Sequence, residues 1–411
     1  MKRTLSMAAG VALALGIALA AGVAGAQPTA VQRGEYLARA GDCISCHTRP
    51  GGAPYAGGLR MKLPFGDIVS PNITPDPETG IGGWTADDLY RVLHEGISRK
   101  VGHLFPAMPY TFYTQVTRED SDAIFAYLRS LPPVRNVVVS DQLRWPFSVR
   151  MSMIGWNELF FTEGGFRPDP AQSAEWNRGA YLVEGLGHCS ACHSPRNIAG
   201  AIEQDRAFTG ATVDGWFALN LTSNLKTGLG GWSVDELATY LKTGAAKGKS
   251  TTLGDMAEVV HNSLSFMTDA DLRAMATYLK SIPANSSLAG RGEVQKVPAQ
   301  AAVLYVDHCA GCHQAKGRGL PGVFPPLAGN GVVVAPDPAN ILKVVLGGVP
   351  ARGGYIPMPG FAGQLNDAQI ADIANYVRSN WGNTAPANAT PQQVSALRRA
   401  LPAAPSGVAA K

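Results

Sequence analysis

Cys43-Ile44-Ser45-Cys46-His47 recurs as Cys189-Ser190-Ala191-Cys192-His193 and again as Cys309-Ala310-Gly311-Cys312-His313. These three stretches use all six cysteines of the 411-residue chain. Six cysteines in an exported protein would ordinarily read as three disulfides, and C-x-x-C pairs also occur in zinc and redox sites. A histidine directly after the second cysteine, three times over, decides against both. C-x-x-C-H is the attachment pattern of c-type haem: two thiols add to the two vinyl groups and the adjacent imidazole turns onto the iron. The expectation is three covalent haem c groups, held by Cys43/Cys46, Cys189/Cys192 and Cys309/Cys312, with His47, His193 and His313 as proximal ligands.

Working outward, the surroundings of the motifs repeat as well. Arg33-Gly34-Glu35-Tyr36-Leu37 runs into the first motif and Arg178-Gly179-Ala180-Tyr181-Leu182 into the second, while Val303-Leu304-Tyr305-Val306 holds that place before the third. Apolar residues at helical spacing predict a short helix leading into each site. Downstream, Gly82-Gly83-Trp84-Thr85 matches Gly230-Gly231-Trp232-Ser233, and Thr85 and Ser233, each with an acid three residues on, read as helix N-caps. A final helix closes each unit, ending in Tyr127-Leu128, Tyr278-Leu279 and Tyr376-Val377. The fold class is therefore all-α, three tandem cytochrome c-like domains, each a small helical unit wrapped around one haem. The boundaries read 27–170, 171–285 and 298–385, with a tail at 386–411. The insert from Pro132 to Pro168, rich in Trp, Phe and Pro, is longer than a simple connection and is expected to pack across domains.

Residues 1–26 have a charged start (Lys2, Arg3), an apolar Ala/Leu/Val/Gly stretch and small residues Ala24-Gly25-Ala26. That is a secretory signal peptide, with an uncleaved anchor as the alternative. Export fits the motifs, because haem c is attached outside the cytoplasm. The rest of the chain offers no run of ~20 apolar residues, and 35 Lys+Arg against 31 Asp+Glu leave a net +4. No clustered basic face suggests nucleic acid, and net charge predicts no strong electrostatic steering.

The sixth iron ligand separates a carrier from an enzyme, since a distal Met closes the iron and raises its potential. Met108 stands 19 residues before Tyr127 and Met358 stands 18 before Tyr376, each followed by a proline that stiffens its loop. In the middle unit Met256 stands 22 before Tyr278; Met267 aligns with Val116 and Leu365, apolar positions just before a helix cap, and reads as core. The competing ligands are the spare histidines His94, His103, His188, His261 and His308. Asn72-Ile73-Thr74 and Asn220-Leu221-Thr222 match a glycosylation sequon but sit at equivalent repeat positions, so they read as loop structure.

With motifs, spacing and repeat order in place, the chain resembles the triheme cytochrome c subunits of membrane-bound dehydrogenases, the quinoprotein alcohol dehydrogenases and the flavin-dependent gluconate, sorbitol, fructose and glucose dehydrogenases. The resemblance rests on Gly41-Asp42-Cys43, Tyr55-Ala56-Gly57-Gly58, Asn72-Ile73-Thr74-Pro75-Asp76, Pro106-Ala107-Met108-Pro109-Tyr110, Gly187-His188-Cys189, Met256-Ala257-Glu258-Val259-Val260, Phe324-Pro325-Pro326-Leu327 and Trp381-Gly382-Asn383. It departs in the loop between His193 and Trp232, which is shorter than in the alcohol dehydrogenase members. The resemblance implies distal ligation by Met108, Met256 and Met358, a periplasmic location on the outer face of the cytoplasmic membrane, a catalytic dehydrogenase subunit carrying flavin or PQQ as partner, and ubiquinone as acceptor.

On this reading the chain is no enzyme by itself. It conducts electrons, one at a time, from a dehydrogenase oxidising an alcohol, sugar or sugar acid. Two rivals stay open: a free periplasmic carrier serving a terminal oxidase, and a haem enzyme such as a peroxidase, which would need an open distal site. In the tail, Val394, Leu397 and Leu401 at helical spacing beside Arg398 and Arg399 read as an interfacial membrane helix or a docking helix, with a frayed terminus as the alternative.

Overall fold

A computed structural model describes residues 28–63, 65–139, 141–285 and 295–401. The signal peptide expected at 1–26 lies outside the described residues, as does most of the 284–298 linker. Among the described residues, no helix is long and apolar enough to cross a membrane.

Each unit is built from an entry helix, a middle helix and a closing helix. The entry helices are Ala30–Ala40, Ala174–Ala180 (continued by a π-helical turn, Tyr181–Leu186) and Gln300–His308. The middle helices are Ala86–His94, Val234–Thr243 and Ala339–Gly347, and the closing helices are Arg118–Ser130, Asp269–Ser281 and Asp367–Ser379. Thr85 and Ser233 do cap the middle helices, each in a full capping box with Asp88 or Glu236. Entry and closing helices cross at glycine: a Cβ on Gly34 would stand 1.8 Å from the Ala123 carbonyl oxygen, and one on Gly179 2.0 Å from that of Ala274. No larger residue permits so close an approach.

The all-α expectation needs correction. Helices dominate, but among the described residues there are three small antiparallel sheets: Arg60–Leu63 with Gly66–Val69 and Gln142–Leu143, Ile97–Ser98 with Gly102–His103, and Ala211–Val213 with Trp216–Ala218. They form where long loops double back on themselves. At Gly66, φ 128°, the third strand comes so close that a Cβ would meet the Gln142 carbonyl oxygen at 2.4 Å.

The first two units share one continuous hydrophobic core, running from Leu37 and Ile124 to Leu182, Leu237 and Leu279. Their junction has a pseudo-twofold pattern. Arg33 donates to Asp120 within the first unit, and Tyr181 of the second donates to the same carboxylate at 2.6 Å. Reciprocally, Arg178 holds Asp271 through two hydrogen bonds, and Tyr36 of the first unit donates to it at 2.6 Å. Each acid is thus satisfied by an arginine of its own unit and a tyrosine of the other, as a buried acid requires.

The third unit keeps a separate core around Leu342, Leu346, Ile370 and Ile373. It docks on the second through polar contacts. Asn340 brackets Phe217, accepting from its backbone N–H and donating to its carbonyl at 2.8 Å each, while Tyr355 Oη donates to the Ala246 carbonyl and Arg352 donates to Thr252. The tail stripe expected to meet a membrane or a partner is already used inside this unit. Helix Pro391–Ala400 buries Val394 and packs Leu397 and Leu401 on the third core, while Arg398 bonds Asp367 and the carbonyls of Ala362 and Leu365.

The insert does cross between units. Trp156 donates through Nε1 to the Ala199 carbonyl at 2.9 Å, and Phe166 packs edge-on against Tyr181.

Candidate haem sites

Each C-x-x-C-H stretch forms one tight turn at the end of its entry helix, closed by a hydrogen bond from the histidine N–H to the first cysteine's carbonyl: His47 to Cys43 (2.9 Å), His193 to Cys189 (3.0 Å) and His313 to Cys309 (2.9 Å). That turn puts both sulfurs and the imidazole at one end of the helix. None of the six cysteines is in a disulfide. Burial pushes the Cys43 and Cys189 thiols up to about 12 and that of Cys309 to about 11.

The three histidines are oriented in the same way. Nδ1 of His47 lies 2.9 Å from the Pro71 carbonyl oxygen, that of His193 2.7 Å from Leu219, and that of His313 3.0 Å from Pro325. A backbone carbonyl accepts, so Nδ1 carries the proton and Nε2 presents a lone pair, the arrangement that fixes a metal-ligating imidazole. Burial disfavours the imidazolium at all three and outweighs the opposing pull of that carbonyl. This triple repetition, two thiols beside an imidazole with its Nε2 free, is the donor set that covalent haem c requires. The carbonyls of Pro71, Leu219 and Pro325 were not singled out from sequence, because the signal is a backbone atom 12 to 26 residues downstream.

Of the methionines, Met108 and Met256 are half-buried against the core cluster that also receives Cys43 and Cys189, and Met358 packs with Cys309 on the third unit's core. Met267 is 1% exposed and belongs to the core. Among the spare histidines, His94 is buried and stacked on Tyr90, His103 lies in a hairpin opposite Ile97, His261 is on the surface, His188 faces Tyr113 across the unit junction, and His308 is edge-on to Phe361. Asn72 accepts from the backbone N–H and hydroxyl of Thr74 and donates to the Val134 carbonyl; Asn220 likewise accepts from the Thr222 N–H and donates to that of Asn285. Both tie the loop beside the site to the chain leaving the closing helix, a structural use of the sequon residues.

One link between sites was not foreseen. Asn262, at the end of the helix Asp255–Asn262 that carries Met256, donates to Ser45 Oγ inside the first motif at 2.9 Å, and Ser45 donates to Asp42 at 2.7 Å. Burial, opposed by the Ser45 hydrogen bond and reinforced by the charge of Glu258, raises Asp42 to about 7. The helix that carries Met256 is thereby tied to the first C-x-x-C-H turn.

The cytochrome c family model matches residues 31–132 and 299–381. The chain is 39% identical over 400 residues to the gluconate 2-dehydrogenase cytochrome c subunit of Pantoea cypripedii, covering 91% of this chain and 90% of that protein. It is 38% identical to the alcohol dehydrogenase (quinone) cytochrome c subunit of Gluconobacter oxydans, covering 97% and 88%. With a nicotinate dehydrogenase subunit of Pseudomonas putida it shares 44% identity over 87% of its own length, but only 31% of that longer protein.

Proposed function

The chain belongs to the cytochrome c family, together with the cytochrome c subunits of dehydrogenases, and from that premise we propose that it is a triheme electron-transfer subunit of a periplasmic, membrane-associated dehydrogenase. The observation that carries the reading is the threefold C-x-x-C-H turn, each with its imidazole Nδ1 on a loop carbonyl. Cys43/Cys46, Cys189/Cys192 and Cys309/Cys312 would hold three haem c groups; His47 with Met108, His193 with Met256 and His313 with Met358 would ligate the irons. Haem bound there supplies a one-electron Fe(III)/Fe(II) couple.

The chain's own contribution is fixity. The Nδ1 hydrogen bonds hold each imidazole in one tautomer and orientation, and the prolines after Met108 and Met358 stiffen the loops that bring the thioethers in. Sites on one shared core, with a third docked by hydrogen bonds, keep their spacing between transfers. The donor is a catalytic subunit with flavin or PQQ that oxidises an alcohol, sugar or sugar acid; the acceptor is ubiquinone; the chain sits on the outer face of the cytoplasmic membrane after signal-peptide cleavage near Ala26.

The test is to solubilise membranes mildly, capture a tagged chain, count haem per polypeptide, and add a panel of alcohols, sugars and sugar acids while following the reduced haem α-band. Three haems per chain, a large co-captured subunit and reduction by one substrate class support the proposal. A chain captured alone, with nothing reducing it, overturns the subunit reading in favour of a free carrier.

A further inference from the structure

The strap between the first two units has an inner side that is fully engaged. Met153 is buried, Asn157 accepts from the Tyr110 hydroxyl, and Phe161 packs edge-on against Tyr110. Its outer side is apolar and uncovered. Trp145 is 82% exposed, Leu159 75% and Met151 65%, and Phe147, Val149, Ile154 and Phe160 are exposed with them. Scattered apolar residues on a surface are ordinary; seven within sixteen residues mark an interaction surface. The helix Ser152–Phe160 has one charged residue, Glu158, and is apolar round most of its circumference. A helix of that composition is expected to be covered on all sides.

A further feature indicates what covers it. At its edge stand two exposed cations, Arg144 directly before Trp145, and Lys62, which shares a cross-strand row with Asp67 and Gln142. Neither forms an ion pair among the described residues, whereas Asp141 is taken by Arg150 and Asp67 by Arg60. An exposed apolar surface edged by two cations outside any ion pair, with an indole beside them, matches the headgroup boundary of an anionic bilayer, which accepts protruding apolar side chains without needing a complementary pocket.

We propose that the strap segment 144–160 is the lipid-docking surface of the protein, with Trp145, Met151, Leu159 and Phe160 seated at the headgroup–acyl boundary and Lys62 and Arg144 on anionic headgroups. This deepens the membrane-face reading above and rests on it. It also assigns attachment to a part of the chain other than the tail helix, whose apolar stripe is spent on the third core.

The test uses the mature holoprotein in flotation with vesicles of phosphatidylglycerol and phosphatidylethanolamine, and with neutral phosphatidylcholine vesicles. Wild type is expected to float with the anionic vesicles, and Trp145→Glu/Leu159→Glu to lose at least about tenfold in affinity. Lys62→Gln/Arg144→Gln should weaken anionic binding and remove its salt dependence. All four side chains are exposed, so haem spectrum and melting temperature should stay at wild-type values. If wild type binds no vesicle, both the membrane reading and this surface fall. If wild type binds but the double glutamate variant binds equally well, the membrane reading stands and the strap assignment fails. If that variant keeps its vesicle affinity but loses the co-captured catalytic subunit, the strap is a protein interface and the proposal is overturned.

Discussion

The first two units are fused through one core, while the third, built from the same parts, stands apart with its own; a few positions account for the difference. In the first two, the residue three beyond the closing-helix cap is Asp120 or Asp271, and each is turned away from its cap to meet an arginine of its own entry helix and a tyrosine of the other unit. In the third it is Gln369, which closes a capping box on Asn366, and the stretch Ala299 to Leu304 contains neither arginine nor tyrosine. The acid therefore couples units and the amide completes a helix locally. One consequence is that the fused pair is cross-linked site to site by the Asn262–Ser45 contact, whereas the third unit meets the second mainly through backbone carbonyls, hydroxyls and amides.

The largest expected effect should fall on the third unit alone. Arg378 is fully buried and donates to the carbonyls of Val333, Ala335, Pro336 and Pro386 and to Asn388 Oδ1. Burial lowers this guanidinium to about 10. Arg378→Leu would strand those acceptors without water, at a cost of about 3 kcal/mol or more. Hydrogen exchange read segment by segment should show Asp367–Ser379 losing protection while Asp269–Ser281 keeps it. Parallel loss in both would mean that the third core is not separate.

Next comes Gly179→Ala, where the new methyl group would have to displace the Ala274 carbonyl by more than an ångström. Overpacking at this level costs about 3 kcal/mol. Because the first two units share a core, protection should fall in Arg118–Ser130 as well as in Asp269–Ser281. A loss confined to the second unit would break the comparison.

Much of this was legible in the sequence and some of it was not, for physical reasons. The motifs, the cap residues Thr85 and Ser233, and the core position of Met267 are local patterns, and local patterns survive in a single chain. The short sheets were missed because they form inside loops, where pairing depends on where the chain returns and not on alternation over four to eight residues. The tail reads equally as an interfacial or docking stripe and as a frayed terminus, because Val394, Leu397 and Leu401 announce only that an apolar face can be covered; they do not say by what. The unit junction was visible in principle: Arg-x-x-Tyr before the motif and Thr-x-x-Asp at the closing helix occur together in two units and are missing from the third.

Asp271→Asn is expected to be milder, about 1–3 kcal/mol, and to carry a pH signature. Burial alone would raise this carboxyl, but hydrogen bonds from Arg178 and Tyr36 more than offset it, and the group titrates below its usual range. A depressed carboxyl contributes stability that is present above the unfolded value, about 4, and is lost as pH falls through the folded one. Acid unfolding of the fused pair should therefore become shallower in the variant. An unchanged acid limb would show that Asp271 is not what holds the junction.

The smallest effects separate docking from slipping. Tyr36→Phe and Tyr181→Phe each remove one hydroxyl from a charged acceptor that keeps its arginine, so each should cost about 1–2 kcal/mol. If the two units meet as rigid bodies, losing one tyrosine bond leaves its pseudo-symmetric partner in place, and the double variant should show the sum within about 0.5 kcal/mol. If the interface slips when either bond is lost, the second substitution costs little more, because the remaining tyrosine has already left its acid. Additivity would make the junction a rigid mount for two sites at fixed separation. Strong coupling would instead make it one cooperative latch, and the Asn262–Ser45 contact would then loosen with it, linking the helix that carries Met256 to the first C-x-x-C-H turn.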